Sequence, residues 1–350
     1  MSKRCLKLVL IAYLSVSQSV TNAIEQDLPI EGMNAQQPSK PPQEPKPPVD
    51  KPEEESLIER IEETIEETVE QNVDTTPSSK SLLDDKEQAD AQANRNPFAI
   101  SQHRLNYVLP ISYNTSANTI TVDGLNDANV DRYEAKFQIS VQLPLYLQGE
   151  NGEGNSGVFF GFTTTSFWQV YNSDVSKPFR ETNYEPEVFY QWAPNWDVFG
   201  LRFNGAQIGF NHMSNGQDQL KSRSWNRIVA TALFSSEDAA YYLKTWYRLP
   251  EDAKTDPLDP TGDDNPDILD FYGRVEIGFV YKLGDVELFA KVRNNLSFDD
   301  NRSGIELNFS YPITERYDFM LQYFNGYGDS LIDYNRHLQR VSAGIKLRFL

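Results

Sequence analysis

Two residues of this chain, His212 and Ser214, stand where an imidazole and a hydroxyl could work together. Side chains alternate along an extended strand with a period of two, so the pair shares one face. Asn215-Gly216 follows at once and can end the strand in a turn, and the run from Ser222 reads as a second strand returning beside the first. That return brings Asn226 within reach of His212. A serine, an imidazole that can take its proton and an amide oxygen that can hold the other ring nitrogen form a hydrolytic triad with a neutral third member. A His-x-Ser on a strand is more often two ordinary polar residues. Here the returning asparagine, the polar glycine-containing turn and the interruption of an apolar stripe favour chemistry, because polar groups are costly in such a place.

The flanking residues set the direction in which the trio faces. Ile208 and Phe210 share the parity of His212, and Ile228, Ala230, Ala232 and Phe234 share that of Asn226. Gln207, Gly209, Asn211, Arg223 and Arg227 occupy the opposite parity. The trio therefore sits on the apolar face. In a soluble sandwich that face would be buried, out of reach of any substrate; on a membrane barrel it meets lipid.

The elements that must carry this face occupy only part of the chain. The sequence has 350 residues, a formal charge of −19 and 39% hydrophobic residues. Residues 1–23 read as a secretory signal, with Lys3, Arg4 and Lys7 before the apolar run from Leu8 to Val16 and small residues ending near Ala23. That run is too short to span a bilayer as a helix. Cys5 is the only cysteine and precedes it, so neither a disulfide nor a thiolate metal site is expected in the mature protein. Residues 24–95 are proline-rich and acidic, carry about −12 of the net charge, and are expected to be mostly disordered. Within them Ile58, Ile61, Ile65 and Val69 fall at the spacing of one marginal amphipathic helix.

From residue 96 the composition turns to aromatic and β-branched residues in regular alternation. Ala135 to Leu143 is apolar at every second position, and the last strand sets Val341, Ala343, Ile345, Leu347 and Phe349 against Arg340, Ser342, Lys346 and Arg348. About twelve such segments fit an all-β fold, a transmembrane antiparallel β-barrel over 96–350. Their expected spans are 105–114, 132–148, 157–172, 184–194, 197–214, 222–235, 239–250, 270–283, 286–296, 302–313, 317–328 and 337–350. A barrel this wide cannot be filled by apolar side chains, so its charged face must point inward. No apolar run has the length of a membrane helix, and no basic nucleic-acid patch stands out.

The motif Asn211-His-Met-Ser-Asn-Gly216 followed by Ser222-Arg-Ser-Trp-Asn-Arg227 resembles the outer-membrane phospholipase A family of Gram-negative bacteria. Pro178-Phe-Arg-Glu-Thr-Asn-Tyr-Glu-Pro186, Asp263-Asp-Asn-Pro-Asp267 and Gly328-Asp-Ser-Leu-Ile-Asp-Tyr-Asn335 resemble the same family. The resemblance covers roughly 96–350 and implies a twelve-stranded outer-membrane barrel with a calcium-dependent serine hydrolase site on its outer wall. It implies activity as a homodimer on membrane phospholipids, and insertion by the outer-membrane assembly machinery. Carried over by position, Ser214 is the nucleophile, His212 the proton acceptor, Asn226 the residue orienting His212, and the Gly216 amide the oxyanion donor. Calcium falls to the carbonyl of Gln217, the hydroxyl of Ser222 and a carbonyl at Ser176 of the partner subunit, with Asp264 a further ligand. Gln217 stands where the family often has arginine, and Thr164 where it has a glutamine bonding across the dimer interface.

A neutral Asn226 makes physical sense by itself. A carboxylate facing the bilayer would carry a large desolvation cost, whereas an amide oxygen still accepts the imidazole N–H and fixes the tautomer. The rival readings are a non-enzymatic porin or structural barrel, whose function would lie in the lumen, and a barrel esterase with an open polar groove beside Ser214. The Asp263–Asp267 cluster lacks the glycine of an EF-hand loop, and without the resemblance it reads as a solvated loop. His103 and His337 are expected to be structural or exposed.

Overall fold

The computed structural model describes residues 73–74 and 81–348, apart from 97–98, 116–129, 150–154, 177, 257 and 260. The expected signal sequence and most of the acidic segment, including its aliphatic stripe, lie outside the described residues. Among the described residues no helix is long and apolar enough to cross a membrane. Twelve strands do the spanning. They are β1 (Asn106–Asn114), β2 (Tyr133–Leu147), β3 (Gly157–Trp168), β4 (Phe179–Trp192), β5 (Leu201–Ser214), β6 (Ser224–Ser235), β7 (Ala239–Arg248), β8 (Val275–Leu283), β9 (Val286–Asn294), β10 (Ser303–Pro312), β11 (Tyr317–Gly326) and β12 (Leu338–Leu347).

Each strand pairs antiparallel with the next, and β12 pairs with β1, which closes the twelve strands into a barrel. Alternation sorts the two faces as expected. Val108, Ile139, Val188, Ile208, Phe210, Leu243, Ile277, Leu307 and Val341 are exposed on the outer wall, whereas Glu134, Lys136, Arg180, Arg227, Glu306 and Arg340 are buried inside. An apolar exterior around an ionic interior suits hydrocarbon as solvent.

Two strand starts differ most from the spans expected, each by five residues. Strand β4 begins at Phe179, ahead of Asn183, because Arg180, Glu181 and Asn183 are lumen-facing residues of the strand and not a polar loop before it. Phe271 belongs to a short helix, Ile268–Tyr272, and β8 starts only at Val275. Gly273 separates the two at φ +92°, where a Cβ would meet the Asn294 carbonyl oxygen at 2.6 Å, so helix and strand cannot run together.

The boundary expected at residues 95 and 96 also moves. Helix α1 (Asp84–Asn94) lies within the segment read as acidic tail, yet it is anchored on the barrel strands. Asp84 pairs with Arg202, while Glu87 accepts hydrogen bonds from Asn204 at 2.6 Å and Asn195 at 2.9 Å. Its acidic first turn also matches the positive end of the helix dipole. These contacts define a prediction. A chain beginning at Ser81 should unfold at the same temperature in detergent as the longer chain. One beginning at Arg95 should lose on the order of 1–3 kcal/mol, since buried polar groups lose charged partners. Identical melting of the two truncated forms would mean that α1 adds nothing to the barrel.

Helix α1 touches the start of β5, at the end where the connections β6–β7, β8–β9 and β10–β11 are tight turns. The connections β5–β6, β7–β8 and β11–β12 at the other end are longer, which marks that end as extracellular. Ser214, the last residue of β5, lies at this long-loop end.

Candidate active site

Strands β5 and β6 are in register over the whole motif, with His212 opposite Asn226, Met213 opposite Trp225 and Ser214 opposite Ser224. Direct opposition places the His212 Nδ1 and Asn226 Oδ1 atoms 2.9 Å apart. All three of His212, Ser214 and Asn226 are half-buried on the outer wall, the face shared with exposed Ile208, Phe210 and Ile228. With Nδ1 held by the amide oxygen, Nε2 is the nitrogen left to act as a base. Ser214 pairs sideways with Tyr184, and Tyr184 with Thr164, so an aromatic ring 42% exposed flanks the hydroxyl. Gly216 has φ +62°, a conformation that favours glycine, and a Cβ there would meet the Tyr184 ring at 3.3 Å.

The inward side chains of the same residues hold this wall in place. Trp225 is fully buried behind it, edge-on to Tyr272 at 5.1 Å, with the Arg227 guanidinium 4.1 Å above its ring. Arg227 donates to Glu185 at 2.9 Å and to Asn211 at 2.6 Å, which ties β6 to β4 and β5. Asn215 pins the turn. Its amide donates to the Lys221 carbonyl at 2.8 Å, and its oxygen accepts from the Arg223 amide at 3.0 Å.

The other motifs meet around this hairpin. Asn265, fully buried, accepts from the Ser224 amide at 3.0 Å and so fixes the Asp263–Asp267 segment to β6. Asp263 pairs with Arg248 at 2.5 Å, and Asp267 accepts a hydrogen bond from the Tyr334 hydroxyl. Asn183 and Glu181 accept the backbone amides of Leu331 and Ile332 at 3.0 Å and 3.1 Å. Three stretches far apart in sequence thus act as one polar scaffold.

The oxygen cluster assigned to calcium is partly assembled. Ser222 Oγ donates to Asp264 Oδ2 at 2.5 Å. The Lys254 ammonium pairs with the other oxygen of Asp264 and also donates to the Asp259 carbonyl at 2.7 Å. A cation therefore already stands on this carboxylate, and the donors are all oxygen, the set that a hard divalent ion takes. Ser222 and Asp264 thus offer oxygen donors of the kind such an ion takes. Ser176 and Gln217 lie exposed in the β3–β4 and β5–β6 loops. His103 is held between Glu187 at 2.7 Å and Gln142 at 3.0 Å in the lumen, and His337 is exposed, edge-on to Tyr327.

One neighbour had no signal in the sequence. The Asn226 amide nitrogen donates to Glu251 Oε1 at 3.2 Å, from the β7–β8 loop. Partial burial pushes the Glu251 carboxyl above its ordinary range; Asp263 adds to the rise, and the Asn226 donor opposes it.

A closed barrel with an apolar wall, an ionic lumen and a polar trio set into that wall is an outer-membrane protein whose candidate site lies on its outer wall. The sequence model of the phospholipase A1 family matches residues 83–347. The phospholipases A1 of Proteus vulgaris and of Escherichia coli are each 35% identical over 260 residues, 74% of this chain and 85% of theirs. A putative phospholipase A1 of Neisseria meningitidis is 31% identical over 277 residues, covering 76% of this chain and 69% of its own. Among solved structures, the E. coli outer membrane phospholipase A, with an asparagine-to-alanine active-site mutation, superposes with TM-score 0.66 and 34% identity, covering 74% of this chain and 95% of that one. The Salmonella typhi outer membrane phospholipase, a dimer with bound calcium, gives TM-score 0.66 and 33% identity over 74% and 96%. The chain belongs to the phospholipase A1 family and is an outer-membrane phospholipase.

Proposed function

We propose that the chain hydrolyses acyl esters of glycerophospholipids and lysophospholipids, as a phospholipase A1/A2, through Ser214, His212 and Asn226. The observation that carries this reading is the 2.9 Å contact between His212 Nδ1 and Asn226 Oδ1 on the lipid-facing wall. Ser214 Oγ attacks the ester carbonyl carbon while its proton passes to His212 Nε2. The imidazolium returns that proton to the departing lysophospholipid oxygen, leaving an acyl-enzyme. A water molecule deprotonated by His212 then releases the fatty acid and regenerates Ser214. The Gly216 amide is the proposed oxyanion donor, and Tyr184 borders the acyl chain. The active-site asparagine of the E. coli relative supports the third member.

The Gln217 carbonyl, Ser222 and Asp264 would hold calcium together with Ser176 of the partner subunit, as the calcium-bound dimer of the Salmonella relative supports. Calcium bound there supplies Lewis-acid stabilisation of the developing oxyanion. An ion with ligands from two subunits promotes association by linkage, so calcium should drive dimer formation. Insertion through the outer-membrane assembly machinery belongs to the same reading.

The test is hydrolysis of phospholipid in mixed detergent micelles, with calcium titrated and cross-linking followed in parallel. Activity and cross-linked dimer should rise together and vanish with chelator. Lys254→Met, which removes the competing ammonium from Asp264, should move both curves to several-fold lower calcium. Full activity in chelator would overturn the calcium assignment, and unmoved curves for Lys254→Met would show that this lysine does not compete with the ion.

A further inference from the structure

We infer that Glu251 is a positioning residue for the hydrolytic reaction, fixing which end of the Asn226 amide faces His212; this rests on the triad reading above. An asparagine amide has an accepting oxygen and a donating nitrogen of nearly the same shape. Either could face the imidazole, and only one orientation is useful. If the nitrogen faced Nδ1, the ring would carry its proton on Nε2, the atom that must receive the Ser214 proton. The His212 contact alone does not decide between the two, because a neutral imidazole can donate or accept at Nδ1.

Glu251 breaks this symmetry. An ionised carboxylate accepts only, so it holds the Asn226 Nδ2 group at 3.2 Å and leaves Oδ1 for His212, 2.9 Å away. Flipping the amide would set its oxygen against the carboxylate, losing that hydrogen bond, and would turn its N–H group to Nδ1, which drives the ring proton onto Nε2. The arrangement also returns a negative charge to the triad at one remove. The triad keeps a neutral amide on the lipid-facing strand, and the charged group sits in the β7–β8 loop beyond the end of β7 at Arg248. There Arg248, on β7, and Asp263 and Asp264, in the same loop, are the charged groups that act on Glu251. Through the amide, its carboxylate stabilises the imidazolium that forms during reaction.

The test uses four forms of the full chain, wild type, Glu251→Gln, Glu251→Ala and Glu251→Lys, assayed with calcium in mixed micelles. Glutamine retains an accepting oxygen but can also donate and carries no charge, so it should lower kcat by a few-fold, less than alanine does. Alanine removes the bias and should lower kcat about tenfold. Lysine donates only, inverts the preference and should lower it about a hundredfold, all with little change in KM. Nitrogen-15 spectra of His212 should show the proton on Nδ1 in wild type and Glu251→Gln and a shift toward Nε2 in Glu251→Lys. A merely structural role would move melting temperature and leave the tautomer alone. Equal kcat and an unchanged tautomer in the alanine and lysine variants would overturn the assignment of Glu251. Ser214→Ala, run beside them, separates the two failures, because normal turnover by that variant removes the triad itself.

Discussion

Ser214→Ala is expected to lower phospholipid hydrolysis at least about a thousandfold while leaving a fully folded barrel. The hydroxyl is the proposed nucleophile, and the one other aliphatic hydroxyl among its cross-strand partners, Tyr184 and Ser224, is that of Ser224, whose alanine variant is the control. The side chain is half-buried on the outer wall and outside the lumen network, so its loss should not alter melting or the heat-modifiable mobility of the barrel on gels. His212→Ala should be comparably inactive. Asn226→Ala should fall less far, since it removes orientation and leaves the base in place. The comparison is made by initial rates on mixed micelles with calcium. Turnover by Ser214→Ala near the wild-type rate would refute the nucleophile assignment, and equal losses for the histidine and asparagine variants would count against their division of labour.

The largest effect on stability is expected from Glu134→Ala. Glu134 is completely buried between β1 and β3, and its carboxylate accepts from Arg180 Nε at 3.0 Å, Arg340 Nη1 at 2.7 Å and Gln169 Nε2 at 3.1 Å. Arg180 continues to Asp333 at 2.8 Å, and Arg340 to Asp329 at 2.6 Å, where Lys136 joins at 3.2 Å. Three carboxylates balance three cations, and all three cations lie 4.8–5.4 Å from the centre of the buried Phe167 ring. Removing Glu134 leaves two guanidinium groups without their shared counter-charge, a change that typically costs about 3–5 kcal/mol. The carboxylate-to-amide variant Glu134→Gln should cost less, because it still accepts hydrogen bonds. Urea unfolding in detergent measures both. A midpoint for the alanine variant equal to wild type would show that the lumen network is not a source of stability.

Most of the barrel was legible in the sequence because a membrane wall enforces period-two alternation. In Val286–Asn294 and Leu338–Leu347 most outward residues are told from their inward neighbours by polarity, with Phe289 and Leu338 as inward exceptions. The start of β4 was not, since Arg180, Glu181 and Asn183 look like loop residues until their lumen partners from β2 and the β11–β12 loop are known. Helix α1 was missed because its eleven residues are acidic and polar on every side, with no apolar stripe to announce packing. The pairing of His212 with Asn226 could be anticipated because both lie on one hairpin. Glu251 and Lys254 could not, because they reach the site from the β7–β8 loop, whose path no local pattern encodes.

The sidedness of the barrel divides the protein between two solvents. The trio, Glu251 and the Ser222–Asp264 cluster lie at the long-loop end, while Asp84 and Glu87 lie at the tight-turn end. Reagents too polar to cross the outer membrane, such as a charged chelator or a sulfonated serine label, therefore act on the reactive wall in whole cells from outside. The anchoring of α1 answers only to the composition of the periplasm. A single chain thus reports on two compartments, and a change imposed on one side of the membrane reaches the other only through the twelve strands themselves.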